Sequence, residues 1–164
     1  EKGAKYALWE KGSQPSEALN TVRSAKDFFF PQTENLMDFK VEGKSIEVID
    51  TRSECEDFVL FGVRGCDVKS FEILDRVFLS DPVDTYYQNR RSHCTIMSMA
   101  CTKPHETCFC KTFGIDAAAP EGDVVCYRTN DALYMIAASD KGSALLALVE
   151  DTALFQPIPV WRVS

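Results

Sequence analysis

The chain has 164 residues, 45% of them hydrophobic and 26% charged, and 18 basic against 25 acidic residues leave a formal charge of −7. This is the composition of one globular domain with a sizeable core. The acid excess excludes a sequence-independent nucleic-acid binder, which needs a dense basic face to displace counterions from phosphate, and it disfavours an anionic membrane surface for the same reason. No apolar run approaches the roughly 18 residues of a membrane span.

The chain opens at Glu1, shows no secretory signal, and closes on Trp161-Arg162-Val163-Ser164. It reads as a piece of a longer polypeptide. Residues 1–25, polar and mixed around Gly3, Gly12 and Pro15, are expected to be a linker or the remnant of a preceding region. An α/β domain carrying the cysteines is expected over 26–156, with 157–164 starting a linker to a further C-terminal region.

In chain order, FFFPQTENLMDF (28–39) is an apolar triplet stopped by Pro31, after which Thr33 is expected to cap a short helix bearing Leu36, Met37 and Phe39. KSIEVID (44–50) alternates as a strand does, and FVLFGV (58–63) is short and continuously apolar, the pattern of a strand buried on both faces. DVKSFEILDRVF (67–78) predicts an amphipathic helix, with Asp67 as N-cap and Val68, Phe71, Leu74, Val77 and Phe78 on one stripe. Glu72 and Arg76 stand at i, i+4 on its polar side.

DPVDTYYQNRR (81–91) reads as a turn and a short polar helix, in which Asp81 and Asp84 serve as capping groups. Tyr86-Tyr87 and Arg90-Arg91 read as a solvated helix face rather than a recognition surface. HCTIMSMA (93–100) predicts a second buried strand, with His93 at its edge. Strand, helix, short connection and strand make a βαβ unit. VVCYR (124–128) and ALYMIAA (132–138) predict a hairpin across Thr129-Asn130-Asp131, and Ser139 or Asp140 opens a last helix with Leu145, Leu146, Leu148 and Val149. The fold class expected is α/β, a mixed sheet with a parallel βαβ core flanked by helices.

Seven cysteines are an odd number, and without a secretory signal they fit reduced thiols in the cytoplasm better than a disulfide framework. Three of them crowd into CTKPHETCFC (101–110). Cys-x6-Cys-x-Cys is neither the knuckle of a zinc ribbon nor the run of a bacterial ferredoxin. The spacing leaves three readings open: a metal or cluster site, buried or loop thiols without a ligand, and a redox dithiol. A Cys108–Cys110 disulfide would be strained, which weakens the last.

Cys66 follows the first buried strand, in VRGCD, and Cys101 follows the second. If the strands are parallel neighbours, both cysteines lie at the carboxyl edge, where open α/β sheets hold ligands. Cys66, Cys101, Cys108 and Cys110 would then converge, and four thiolates suit tetrahedral zinc or a four-iron cluster. A helix N-terminus beside Cys66, with Arg64 and Lys103 or Lys111 nearby, is expected to favour thiolate charge. Gly65 would admit close backbone approach, and Pro104 and Phe109 are expected to keep the loop dry. His105, inside the loop, is a substitute ligand or a plain loop residue. Cys94 and Cys126 are expected in the core and Cys55 in a loop. Glycine-rich nucleotide motifs, HExxH and GxSxG are absent from the sequence.

FFFPQTENLMDF, FGVRGCDVKSFEILDRVFL, DTYYQNRR and the C…P…TCFC loop followed by FG, in this order, resemble one family over about Lys26 to Gly142. It is that of the iron–sulfur beta subunit of sulfhydrogenases and related hydrogenases, to which the corresponding electron-transfer subunit of anaerobic sulfite reductase also belongs. The resemblance implies an electron-transfer subunit that passes electrons between a flavin- or nicotinamide-linked partner and a catalytic subunit. It also implies a 4Fe-4S cluster on Cys66, Cys101, Cys108 and Cys110. The family's C-terminal two-cluster module has no counterpart in this sequence, so those clusters are not assigned to it. The competing expectation is a docking scaffold whose cysteine site holds zinc or nothing.

Overall fold

The structure, a computed structural model, describes residues 6, 7, 10 and 21–150. Most of the expected leading linker and the exit segment Gln156–Pro159 lie outside the described residues.

The two six-residue apolar runs lie side by side. β3 (Phe58–Val63) and β4 (Cys94–Met99) are parallel, with Leu60 opposite Ile96 and Phe61 opposite Met97. Parallel neighbours need a crossover, and here it consists of α1 (Gly65–Phe78) and α2 (Thr85–His93). β5 (Val124–Arg128) pairs parallel with β4, and β6 (Leu133–Ala137) closes the four-stranded sheet as an antiparallel edge. α3 (Asp140–Glu150) follows, its first turn held by Ser139, whose Oγ accepts from the Gly142 amide at 3.2 Å. The mixed sheet with its parallel βαβ core is the α/β fold expected. No helix among the described residues is long and apolar enough to cross a membrane.

Because successive side chains on a strand face opposite ways, the sheet supports two cores. One gathers Phe29, Leu60, Val63, Val68, Phe71, Tyr87 and Ile96 beneath α1 and α2. The other gathers Met99, Val124, Cys126 and Leu146 beneath α3, with Phe61 and Met97 packed against it. Phe29 and Phe71, both fully buried, meet edge to face at 4.8 Å. Each such ring stabilises the fold by roughly 1.5–3 kcal/mol relative to exposure, and truncating Phe71 to alanine would cost about 3–5 kcal/mol.

α2 departs from the solvated face expected of it. Tyr87 is buried and donates to Asp75 Oδ1 at 2.6 Å. Arg91 closes on the same carboxylate with Nε at 3.1 Å and Nη2 at 3.2 Å, and lies over the Phe29 ring. Arg90 pairs with Glu34. The charged run therefore clamps α2 to its neighbours. Asp84 does cap the helix, its Oδ1 accepting from the Tyr86 and Tyr87 amides. On α1, Lys69 and not Arg76 makes the hydrogen-bonded ion pair with Glu72.

The helix expected after Thr33 is absent. Residues 38–49 form a hairpin instead, β1 (Asp38–Glu42) against β2 (Ser45–Ile49), turning at Gly43 with φ 61°. Alternation on both sides of a glycine-led two-residue loop outweighs three apolar residues too closely spaced for a helical stripe. Phe39 faces Val48 and Val41 faces Ile46 across the hairpin, and all four are more than 60% exposed.

Candidate thiol site at the carboxyl edge of the sheet

Cys66 is the second residue of α1, and Cys101 lies two residues beyond the end of β4. Parallel pairing of β3 with β4 brings these positions to the same edge of the sheet. Asp67, expected as the cap, is the third helical residue; Arg64 occupies the N-cap position without a side-chain cap bond. The helix begins two residues earlier because the Val68 amide already reaches the Arg64 carbonyl at 3.0 Å.

The chain between β4 and β5 replaces a second crossover helix. The Cys101 amide donates to the Ala117 carbonyl at 2.8 Å, and the Ile115 amide to the Cys110 carbonyl at 3.0 Å. A 3-10 turn, Cys110–Phe113, ends at Gly114 with φ 65°, a left-handed conformation suited to glycine. The loop then packs on the start of α1: a Cβ on Gly65 would stand 3.1 Å from both Ile115 and Pro120. Gly65 thus serves the approach of the loop. A cleft of about 150 Å³ remains between them, lined in part by Lys69, Glu72, Asp116 and Glu121.

Thiols from the start of α1 and from the 101–110 loop come near one another here. Cys66 feels the charge of Cys110 and of Cys101, and Cys101 that of Cys110 and of Cys108. Cys66, Cys101 and Cys110 are half-buried and Cys108 is exposed. The His105 amide donates to Cys108 Sγ at 3.2 Å, while the Asp67 amide donates to the Arg64 carbonyl at 2.9 Å. In this arrangement no group of three or more His, Cys, Asp or Glu side chains among the described residues could hold a metal ion.

Charge around the thiols differs from expectation. Burial pushes the Cys66 thiol up to about 11, and the neighbouring Asp67 carboxylate adds to the rise, so the helix N-terminus does not make it a thiolate. Burial raises Cys101 too, and the nearby positive charge of the Arg64 guanidinium works against that rise. Arg64 also donates through Nη1 to the carbonyl oxygens of Met99 and Ala100. Tyr6, which nothing in the sequence pattern singled out, lies within electrostatic reach of Cys66, Asp67 and Arg64, and burial takes its phenol up to about 12.

His105 is engaged elsewhere: its Nδ1 lies 2.9 Å from Thr107 Oγ1 and accepts from the Thr107 amide. Phe109 and Pro104 are exposed and do not cover the loop. Cys94 opens β4, at the end of the strand away from Cys101, and Cys126 is buried within β5. Cys55 is half-buried beside a separate 3-10 turn, Thr51–Glu54. Four cysteines are the donor type that a four-thiolate group takes, but as placed here they do not form a site that could hold one.

Comparison with known proteins agrees with the motifs. The chain is 35% identical over 122 residues to sulfhydrogenase 2 subunit beta of Pyrococcus furiosus, a match that covers 74% of this chain. It spans only 35% of that relative's length. No family model matches the chain, and no solved structure does.

Proposed function

We propose that this chain, a homologue of the hydrogenase beta-subunit family, is part of an oxidoreductase subunit, and that residues 26–156 form its iron–sulfur electron-transfer domain, working in the cytoplasm. Cys66, Cys101, Cys108 and Cys110 would hold a 4Fe-4S cluster. When bound, such a cluster supplies one-electron chemistry. The observation that carries the reading is that Cys66, at the start of α1, lies within electrostatic reach of Cys101 and Cys110 of the 101–110 loop, and Cys101 within reach of Cys110 and Cys108.

The protein's own groups have distinct tasks in this reading. Arg64 and the His105 amide oppose the negative charge of the sulfurs. Gly65, Ile115 and Pro120 seat the loop on α1, so that Cys108 and Cys110 stay near Cys101. With cysteine at all four ligand positions, no position is left open for a substrate, and the site serves relay rather than catalysis. The partners in this reading are two other subunits of the same complex, one flavin- or nicotinamide-linked and one catalytic.

Anaerobic reconstitution with iron and sulfide tests the reading. Wild-type protein should gain the visible absorption of a four-iron cluster and, once reduced, its paramagnetic resonance signal. Cys108→Ser should lose most of both, while Cys55→Ser keeps them. An undiminished signal in Cys108→Ser would remove that residue from the ligand set. Uptake of zinc with no iron would favour the docking-scaffold reading.

A further inference from the structure

As placed, the four thiols do not form a site, and three of them stand on backbone tied to the rest of the domain. Cys66 lies in the first turn of α1, and the Cys101 amide is fixed to the Ala117 carbonyl at 2.8 Å. Cys110 opens the 3-10 turn, and its carbonyl accepts from the amide of Ile115, which packs toward Gly65. All three are half-buried.

The stretch between Cys101 and Cys110 is held differently. Every residue from Thr102 to Phe109 is exposed. Among the described residues, the hydrogen bonds of 102–108 fall within 105–108. The Cys108 amide donates to the His105 carbonyl at 3.0 Å, the His105 amide to Cys108 Sγ at 3.2 Å and the Thr107 amide to His105 Nδ1 at 3.3 Å. A segment that buries no side chain and bonds only to itself opens more readily than the elements around it. Cys108 is the one thiol of the four that it carries.

The segment also has slack. Eight residues can span roughly 26 Å when extended, yet this stretch joins two cysteines whose thiols already feel each other's charge. Cys108 stands two residues from the Cys110 anchor and can change direction while both ends stay where they are.

We propose that residues 102–109 are a strap, hinged at Cys101 and Cys110, that turns Cys108 inward as the last of four ligands and closes on the three thiols held by fixed backbone. The strap rests on the reading of Cys66, Cys101, Cys108 and Cys110 as one ligand set. Closing orders the segment, so ligation by Cys108 is coupled to local folding. Cys108 is then the last ligand to bind and the first to leave, and the open strap is the entry path for metal.

Amide exchange and pulsed alkylation, both read by mass spectrometry, test this on the full chain kept anaerobic. The protein is compared after chelator treatment, with zinc alone, and after reconstitution with iron and sulfide. In chelator, amides of 102–109 should exchange at least about tenfold faster than those of 124–128. Cys108 should alkylate at least about tenfold faster than Cys66, Cys101 or Cys110, which are less accessible. Loading should slow 102–109 at least about tenfold and protect Cys108, with 65–78 and 110–117 changing much less. On a later chelator challenge, Cys108 should become reactive before the other three. Exchange in 102–109 that is unchanged by loading, or an equal slowing of 65–78 and 110–117, would overturn the strap. So would alkylation of Cys66 or Cys101 as fast as that of Cys108 in chelator. Closure by zinc with no cluster from iron and sulfide would overturn the iron–sulfur reading alone, and uptake of neither would overturn both.

Discussion

Arg64 Nη1 donates to the carbonyl oxygen of Ala100 at 3.2 Å, so the residue before α1 is tied to the residue after β4. One guanidinium thus joins the stretches that carry Cys66 and Cys101, and it is the cation acting on the Cys101 thiol. Arg64→Met should cost about 1.5 kcal/mol in urea unfolding, the scale of a charge-assisted hydrogen bond that is partly buried. In cluster-loaded protein it should lower the reduction potential, because adding an electron is harder once a nearby positive charge is gone. Anaerobic redox titration reads that shift, and an unchanged potential would place Arg64 away from the redox group.

Gly142 lies in the first turn of α3, where a Cβ would stand 1.9 Å from the Asp123 carbonyl oxygen. Backbone cannot yield as a side-chain tip does, so Gly142→Ala should destabilise by about 3 kcal/mol or more and loosen α3 from the sheet. Gly43→Ala, with no atom within 4 Å of the new methyl but a φ of 61°, should cost only about 1–2 kcal/mol. Chemical denaturation of the two variants separates crowding from backbone strain.

Removing the Tyr87 hydroxyl should cost about 1 kcal/mol, the value of one hydrogen bond. Arg91→Leu should cost more, about 2–3 kcal/mol, since it strands the Asp75 carboxylate that both residues serve. The two losses should not add, because Tyr87 and Arg91 share one acceptor. Equal and additive losses in denaturant titrations would contradict a single network.

Alkaline conditions should destabilise the fold from about pH 9 upward. Burial raises the Cys126 thiol from 9.0 to about 11 and the Cys94 thiol from 9.0 to about 12. Their folded values lie above the unfolded one, so the stability they contribute is complete below pH 9. It is lost as the pH rises toward 11–12, where the unfolded chain has already released its protons. Cys126→Ala should be less stable at neutral pH but should decline less steeply between pH 9 and pH 11. An equally steep decline would assign the loss to other groups.

The β1–β2 hairpin should contribute little to the stability of the domain. Ile46 and Val48 are 67% and 65% exposed, so Ile46→Thr and Val48→Thr should each shift the unfolding free energy by less than about 0.5 kcal/mol. Amide exchange should be fast throughout 38–49, as expected for two strands without a covering layer. Strong protection there would show that the apolar face is covered.

Wherever a pattern is local and strong, the sequence alone determined the structure. FVLFGV and CTIMSM read as strands from their length and flanking breaks, and CTIMSM is buried, whereas β3, at the sheet edge, buries only Leu60 and Val63 and leaves Val59 exposed. The stripe through Val68 and Phe71 specifies α1, and VVCYR with its following turn specifies the β5–β6 hairpin. Asp84 and Ser139 announce their helices through hydrogen bonds that span two or three residues. Burial of Cys94 and Cys126 follows from the same runs.

Tertiary structure decided what depends on neighbours brought from afar. TYYQNRR reads as polar, yet Asp75 and Phe29 turn Tyr87 and Arg91 inward. A helix N-terminus argues for a charged Cys66, yet burial and the adjacent Asp67 keep its proton on. Leu36, Met37 and Phe39 suggest a helix until β2 supplies a strand for β1 to pair with. Spacing alone leaves Cys66 unrelated to the 101–110 loop; the βαβ pattern made parallel neighbours the expectation, and the pairing of β3 with β4 sets Cys66 and Cys101 at one edge. Periodicity belongs to a few consecutive residues, whereas pairing and desolvation are sums over every segment that the fold brings alongside.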